Sequence, residues 1–263
     1  MADFESWPVG NFCWTDLSTS DVKSANDFYE KLFGWSYNAS PMGEGEFYYL
    51  AQIRGRDVAG TSRMPAELSS QGMPPHWTTY VAVADAEAVA QKIQQQGGQL
   101  LAPVFDVFEH GRMAVAADPT GASFAIWQPK EHKGYRVAGE HGSVCWNELA
   151  TTDTGVASAF YQSVFGWKTE DSGLPEDPEK PMKYTMFGMN GHNFAGMMKI
   201  DPSWGPMPPN WGIYFAVNDC DATFALAQTL GGKVIVPPMD IPTIGRFATM
   251  QDPQGAVFSF IAM

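Results

Sequence analysis

Hydrophobic and polar positions follow a short cycle that recurs along the chain. Asn11–Thr19 alternates enough to predict a strand. Asp21 stands where an N-cap is expected, Val22–Phe33 carries apolar residues at helical spacing, and Gly34 is placed to end the helix. The pattern thus opens a βαβββ unit, whose remaining predicted strands are Trp35–Ala39, Phe47–Ile53 and Asp57–Arg63.

The cycle starts again at Trp77. Trp77–Ala84 predicts a strand, and Asp85–Gln96 predicts a helix that two glycines end. Pairing the two units predicts an α+β domain in which a curved mixed sheet has its helices outside and a cup inside. The other predicted strands of the second unit are Gln99–Val107, Arg112–Ala117 and Ser123–Gln128.

A tandem repeat doubles this arrangement. Gly10–Trp35 and Gly142–Trp167 are identical at 12 of 26 positions without a gap. Such self-similarity indicates duplication of a whole structural unit. Two later pairs match at nearly the same offset: Met73–Asp85 with Met207–Asp219 (8 of 13), and Gly111–Phe124 with Gly245–Phe258 (8 of 14).

The repeat predicts two domains, at residues 1–130 and 141–263. The segment 131–140 between them is polar and contains glycine, as expected of a linker. The second copy is four residues longer around Leu174–Pro181, and such a length change belongs in a loop.

Composition and charge exclude several kinds of partner. The formal net charge is −13 and no Lys/Arg cluster interrupts it, so we expect no nucleic-acid partner. No run reaches the ~18 apolar residues of a membrane span. Met1–Trp7 lacks the features of a signal peptide, so we expect a cytoplasmic protein. Cys13, Cys145 and Cys220 form no CxxC pair and are expected to be buried.

Three features of each copy resemble a known family. They are an aspartate before the first helix, an FY…FGW pattern along it, and a closing DPxGAxF turn. Their order, spacing and duplication resemble the vicinal-oxygen-chelate superfamily, also called the glyoxalase/bleomycin resistance/dioxygenase family. The resemblance covers nearly the whole chain. The residues are Asp21, Phe28, Tyr29, Phe33–Trp35 and Asp118–Phe124 in the first copy, and Asp153, Phe160, Tyr161, Phe165–Trp167 and Asp252–Phe258 in the second.

The resemblance implies a divalent metal in the cup, held by His, Gln and Glu side chains from four strands. The corresponding residues here cannot coordinate such a cation or are poor ligands for it. The five histidines show no HxH or HxxxH spacing. We therefore predict no metal ligands and no cofactor. By the resemblance, the four places fall at Trp14, Gly60, Thr79 and Ala125, and at Trp146, Gly196, Ile213 and Ser259.

Strand alternation then predicts what else lines the cups, because residues two apart share a face. The predicted walls are aromatic with a few polar groups, which suits a flat or apolar small molecule. The predicted lining is Phe12, Trp14, Asp16, Trp77, Thr79, Ser123 and Trp127 in the first copy, and Trp146, Glu148, Trp211, Ile213, Phe215, Ser259 and Ile261 in the second.

Asp16 and Glu148 are the candidates for catalysis. A carboxyl group against indole rings has its pKa raised by desolvation, which suits a general acid or base. Alternatively these carboxylates are structural and pair with the backbone or with Arg112 and Arg246, which recur at equal positions. Tyr48 and Tyr184 also recur, either as hydroxyl donors near the rim or as packing residues.

Three functions follow. The first is a metal-free protein that binds a small aromatic or hydrophobic molecule, as the antibiotic-resistance members of the family do. The second is a lyase, isomerase or oxygenase that uses an unorthodox metal site or Asp16 and Glu148 as a metal-free base. The third is a scaffold whose cups are filled by tryptophan. The fused pair is compatible with a monomer or a homodimer.

Overall fold

The structure, a computed structural model, describes residues 6–43, 45–172 and 183–263. Most of the N-terminal stretch considered for targeting, and the predicted loop Leu174–Pro181, lie outside the described residues. Within the described part, no helix has the length and apolar character needed to cross a membrane.

The first half of the chain forms one eight-stranded sheet. Its strands follow the order β2-β3-β4-β1-β5-β8-β7-β6. The elements are β1 (Phe12–Thr19), α1 (Val22–Phe33), β2 (Ser36–Gly43), β3 (Glu46–Ile53), β4 (Arg56–Arg63), α2 (Ala66–Ser70), β5 (His76–Ala82), α3 (Ala86–Gln95), β6 (Gln99–Val107), β7 (Gly111–Ala117) and β8 (Ser123–Pro129).

The second half repeats this sheet in the equivalent order, β10-β11-β12-β9-β13-β16-β15-β14. Its elements are β9 (Val144–Thr151), α4 (Thr154–Phe165), β10 (Lys168–Asp171), β11 (Tyr184–Met189), β12 (His192–Lys199), a 3-10 turn (Pro202–Trp204), β13 (Asn210–Ala216), α5 (Cys220–Thr229), β14 (Lys233–Ile241), β15 (Gly245–Gln251) and β16 (Val257–Ala262).

Each sheet joins two βαβββ units along its centre. Strand β1 pairs with β4 in parallel and with β5 in antiparallel orientation, and β5 pairs with β8 in parallel. The predicted α+β architecture of two tandem copies, each a mixed sheet from paired βαβββ units, is confirmed. The helix signals are confirmed as well: the Asp21 side chain accepts a hydrogen bond from the backbone of Ser24, and Gly34 ends α1 with φ of 73°.

The two halves share their hydrophobic core. Each of the two buried clusters contains residues from both copies. At one contact the Tyr29 hydroxyl accepts from Trp77 Nε1 (3.1 Å) and donates to Asp252 Oδ2 (3.1 Å). The tyrosine of the FY pattern in one copy thus binds the aspartate of the DPxG turn in the other. The equivalent contact joins Tyr161 to Trp211 (2.7 Å) and Asp118 (3.0 Å).

Removing one of these bridging hydroxyls should destabilise the whole chain. We expect Tyr29→Phe to lower the free energy of unfolding by about 2 kcal/mol, because it leaves a buried indole N–H and a buried carboxylate oxygen without a partner. Tyr161→Phe should cost a similar amount, since its contacts are equivalent. Urea unfolding measures both. Losses below about 0.5 kcal/mol for both variants would contradict the bridging role.

Candidate functional site

A carboxylate held by two phenols lies on the concave face of the first sheet. Asp16 Oδ2 accepts hydrogen bonds from the Tyr48 hydroxyl (3.2 Å) and the Tyr80 hydroxyl (2.8 Å). Trp14 Nε1 donates to the Tyr48 hydroxyl oxygen at 2.8 Å. We call these four residues the first carboxylate cluster.

The second sheet carries an equivalent group, the second carboxylate cluster. Glu148 accepts from the Tyr184 hydroxyl at Oε2 (2.9 Å) and from the Tyr214 hydroxyl at Oε1 (2.8 Å). Trp146 Nε1 donates to the Tyr184 hydroxyl oxygen at 2.8 Å. Asp16 in the first copy and Glu148 in the second thus accept hydrogen bonds from equivalent pairs of tyrosine hydroxyls. In each copy an equivalent tryptophan donates to one of those hydroxyls.

A glycine in the neighbouring strand makes room for each cluster. Gly60 in β4 pairs with Asp16 in β1, and a Cβ at Gly60 would overlap the Tyr48 hydroxyl. A Cβ at Gly196 would overlap the Tyr184 hydroxyl in the same way. The phenol therefore occupies the space next to the place where the family resemblance put a metal ligand.

Burial sets the protonation of both clusters. Burial raises the pKa of Asp16 to about 6, although the hydrogen bonds from Tyr80 and Tyr48 act in the opposite direction. The pKa of Glu148 is raised for the same reason. Burial also raises the pKa of Tyr48 and Tyr80 well above its ordinary value, so both phenols remain hydrogen-bond donors. A carboxyl group that titrates closer to neutral pH is suited to exchange a proton with a bound molecule.

The residues present do not fit the divalent metal that the family resemblance implies. Within the described residues, no group of three or more His, Cys, Asp or Glu side chains is placed to hold a metal ion. The first cluster offers one carboxylate, two protonated phenols and an indole N–H that already donates to Tyr48. A divalent cation needs several anionic or lone-pair donors converging on one point.

A β-bulge explains why the predicted lining was wrong at Phe12. The pairing of β1 with β5 shifts register between Phe12 and Trp14, so the two side chains lie on opposite faces. Phe12 packs on Trp167 and Trp211 of the second copy instead of lining a cup. Trp14 remains on the concave face.

The predicted cup positions in β5 and β13 were wrong by one residue. Trp77 bonds to Tyr29, and Thr79 Oγ1 donates to Asn147 of the second copy at 2.8 Å. A slip of one residue turns every side chain of a strand to the other face. Trp211, Ile213 and Phe215 likewise face away from the second cup, and the residues on its face of the strand are Gly212 and Tyr214.

The two arginines do not partner the clusters. Arg112 pairs with Glu87 (3.0 Å) and Asp106 (3.4 Å) on the helix-covered side of the sheet. Arg246 pairs with Asp221 (2.8 Å) and Asp240 (3.1 Å) at the equivalent place. The suggestion that they neutralise Asp16 and Glu148 is therefore wrong.

The structure places three other predicted residues at the cups. Trp127 lies beside Tyr80 with ring centroids 6.4 Å apart. Ser259 is buried opposite Tyr214 and shares a hydrogen bond with Thr249 (2.8 Å). Ile261 is buried on the same face of β16, whereas Ser123 is exposed at the start of β8.

Tyr80 and Tyr214 are the site residues that sequence analysis missed. Both stand three residues after the tryptophan of the repeated MPPxW segment, and this repetition is a usable signal in the sequence. The family resemblance instead points the neighbouring positions, Thr79 and Ile213, into the cups.

The two cups differ in what covers them. In the first, the segment 130–137, which we call the strap, crosses the cup, and its His132 and Tyr135 rings lie 4.4 and 5.5 Å from the Trp14 ring. Trp14 is consequently 3% exposed. Trp146 is only half-buried, and no aromatic ring among the described residues stacks on it.

Two surface cavities lie outside the cups. One, of about 490 Å³, adjoins the start of α1 at Asp21 and Arg63. The other, of about 270 Å³, occupies the equivalent place beside Thr154 and Lys183. Neither cavity touches a carboxylate cluster.

Comparison with known proteins identifies the family. The model of the Glyoxalase/Bleomycin resistance protein/Dioxygenase superfamily matches residues 12–126 and 133–260, one match for each copy. The chain belongs to this superfamily. The two matches agree with the two sheets, and they cover the strands that carry both carboxylate clusters of this superfamily member.

Relatives match over almost their full length. A Mycobacterium tuberculosis protein, CFP32, provisionally named a glyoxylase, is 41% identical over 249 residues, which are 94% of this chain and 93% of the relative. The anthracycline biosynthesis proteins DauV of Streptomyces sp. strain C5 and DnrV of Streptomyces peucetius are 36% and 37% identical over 261 residues, 95% of this chain and 92% of each relative.

Solved structures of the superfamily share the fold at much lower identity. The Mn(II)-bound glyoxalase from Novosphingobium aromaticivorans has a TM-score of 0.63 at 14% identity, over 97% of this chain and 82% of that one. The 2,3-dioxygenase LapB from Pseudomonas sp. KL28 has a TM-score of 0.64 at 13% identity, over 96% and 92%. At such identity the likeness concerns the fold alone.

Proposed function

We propose that this protein binds a small, flat aromatic molecule in its second cup, without a metal ion. The observation that carries the proposal is the second carboxylate cluster. It combines the half-buried Trp146 ring with the Glu148 carboxyl group, which is held by Tyr184 and Tyr214. An aromatic surface beside a few fixed polar groups is the usual composition of a small-molecule site.

The apolar residues around the cluster support an aromatic ligand. Phe247 stands next to Tyr214 with ring centroids 6.1 Å apart, and Met239 pairs with Phe247 while remaining 48% exposed. Aromatic and methionine side chains pack well against flat rings. Two relatives carry anthracycline biosynthesis in their names, and anthracyclines are flat, phenolic polycyclic compounds. We therefore expect the ligand to be a hydroxylated fused-ring aromatic.

Calorimetric titration with dihydroxyanthraquinone, in buffer that contains EDTA, tests the proposal. We expect one binding site per chain. Trp146→Leu should weaken binding about 10- to 100-fold, because it removes the aromatic surface. Trp204→Leu, at a tryptophan that is 46% exposed in the turn between β12 and β13, is the matched control and should leave the affinity unchanged.

Two results would count against this function. One is the absence of binding across a broad set of fused-ring aromatics, with cyclohexanol as the non-aromatic comparison. The other is binding that appears only after a divalent metal is added. Either result alone would contradict a metal-free ligand site in the second cup.

The raised pKa of Glu148 favours a second candidate function, proton transfer to or from the bound molecule. The Glu148 carboxyl is the group placed to do this, since Tyr184 and Tyr214 hold it and remain protonated themselves. Glu148→Gln keeps the shape and one of the two acceptor oxygens, and its NH2 group replaces the other and can donate to the phenol oxygen that it faces. If the protein is a binding protein, this variant should bind normally. If it is an enzyme, the variant should bind but lose turnover by about 100-fold or more.

A further inference from the structure

The strap is fixed across the first cup by backbone hydrogen bonds. The Tyr135 N–H donates to the carbonyl of Cys13 in β1 (2.8 Å), and the Arg136 N–H donates to the carbonyl of Asp57 in β4 (2.8 Å). Trp127 Nε1 donates to the His132 carbonyl at 2.9 Å. The strap belongs to no helix or strand. Its irregular backbone follows β8 and precedes β9 along the chain.

Two rings of the strap cover the aromatic surface of the first cluster. His132 meets the Trp14 ring edge-on at 83°, and Tyr135 lies over it tilted by 38°. Tyr135 is 2% exposed. The His132 and Tyr135 rings therefore cover the Trp14 ring. Among the described residues, no aromatic ring covers the equivalent Trp146 ring.

The strap does not satisfy all the groups that it buries. Among the described residues, His132 Nε2 is buried without a hydrogen-bond partner. Burial also lowers the pKa of His132 to about 4, so the packed imidazole is neutral. The strap thus closes the first cup while it leaves one of its own polar atoms unsatisfied.

Beneath the strap, the first cup has the same groups as the second. Trp14, Tyr48 and Tyr80 surround Asp16 with hydrogen bonds of 2.8–3.2 Å, and Trp146, Tyr184 and Tyr214 surround Glu148 with hydrogen bonds of 2.8–2.9 Å. A ligand that the second cluster recognises meets equivalent groups in the first.

We propose that the first cup is a latent second binding site for flat aromatic molecules, and that the strap is its intramolecular competitor. The His132 and Tyr135 rings occupy the place of the ligand over Trp14. The ligand class rests on the proposed function of the second cup, whereas the closure of the first cup by the strap is a separate claim. Wild-type protein then binds one aromatic molecule per chain, and a protein with a displaced strap binds two.

Gly134 offers a way to displace the strap without changing the cup. Its φ is +99°, and a Cβ there would overlap the Cys13 carbonyl oxygen to which the strap is bonded. Gly134→Ala should therefore release the strap. Gly139→Ala is the matched control, because Gly139 lies in the same linker with φ of +75° but a Cβ there meets nothing within 4 Å. Both variants carry a similar backbone strain.

The test is calorimetric titration of the full chain with dihydroxyanthraquinone, together with limited trypsin digestion at Lys133 and Arg136 to report strap release. We expect two sites and faster cleavage for Gly134→Ala, and one site with wild-type cleavage for Gly139→Ala. A Gly134→Ala protein that is cleaved faster but binds one molecule overturns the proposal. His132→Ala, which removes one covering ring, should also raise the stoichiometry if Gly134→Ala does not fold.

The design separates the two claims. If neither the wild type nor the Gly134→Ala variant binds, the proposed ligand class fails for both cups. If the wild type binds none and Gly134→Ala binds one, the latent site is supported and the function assigned to the second cup is wrong. Suppose that the wild type and the Gly134→Ala variant each bind one molecule, although trypsin digestion shows that the strap of the variant is released. In that case only the latent site is wrong.

Discussion

Gly196→Ala is expected to destabilise the chain by about 2–4 kcal/mol and to abolish ligand binding at the second cup. The added Cβ would coincide with the Tyr184 hydroxyl. The ring must then move, and Trp146 Nε1 and the Glu148 carboxylate both lose the hydroxyl that joins them. One methyl group thus disrupts the hydrogen bonds that hold the second carboxylate cluster together. Thermal unfolding and the anthraquinone titration measure the two effects.

Gly212→Ala is the matched control for this prediction. Gly212 lies in β13 directly opposite Glu148, so it belongs to the same cup. A Cβ at Gly212 would meet only the Glu148 carbonyl oxygen at 3.7 Å, which is an ordinary contact, and the first copy carries Thr78 at this place. We expect near-normal stability for Gly212→Ala. Equal losses in the two variants would show that any side chain in this region is disruptive, which contradicts a specific role of Gly196.

Asp16→Asn is expected to stabilise the protein at neutral pH by about 2–3 kcal/mol. Burial raises the pKa of Asp16 from 3.8 to about 6, so the folded state binds this proton more tightly than the unfolded state does. Wild-type stability should therefore fall as pH rises from about 4 to about 7, while the uncharged asparagine escapes that loss. The difference in the free energy of unfolding between the variant and the wild type should be small at about pH 4 and largest above about pH 6.

Urea unfolding of both proteins across this pH range measures the effect. Asp106→Asn is the control, because Asp106 is exposed, its ion pairs with Lys130 and Arg112 lower its pKa, and its replacement should bring no gain at neutral pH. Suppose that the free energy of unfolding of Asp16→Asn differs from that of the wild type by the same amount at every pH. That result would contradict the burial of an ionisable carboxyl group in the first cluster. Glu148→Gln should follow the same direction as Asp16→Asn.

The sequence predicted the fold well because its signals are local and repeated. The N-cap at Asp21, the αL glycine at Gly34 and the DPxG turns fix element boundaries, and the duplication fixes the two copies. The sequence could not reveal that Asp118 and Asp252 also accept hydrogen bonds from tyrosines of the opposite copy, since that contact depends on how the two sheets pack.

Site residues were predicted less well, for two physical reasons. The bulge after Phe12 breaks the alternation of β1, and the pattern of hydrophobic residues carries no mark of it. In β5 both faces are buried, one against the cup and one against the other copy, so Trp77 and Tyr80 are equally compatible with either face. Trp14 is assigned to the cup by its distance from the FY pattern and Asp16 by alternation from Trp14, and the bulge lies before both residues.

We propose that a phenol–carboxylate cluster stands, in each copy, where the family resemblance implies a metal site. Metal analysis by plasma mass spectrometry, on protein purified without chelator and again after incubation with Zn²⁺, Mn²⁺, Fe²⁺ and Ni²⁺ followed by desalting, tests it most directly. We expect a metal content far below one ion per chain in both samples, and melting temperatures that the added ions leave unchanged. A divalent metal near one or two ions per chain, lost together with stability when Tyr48 or Tyr184 is replaced by phenylalanine, would contradict it.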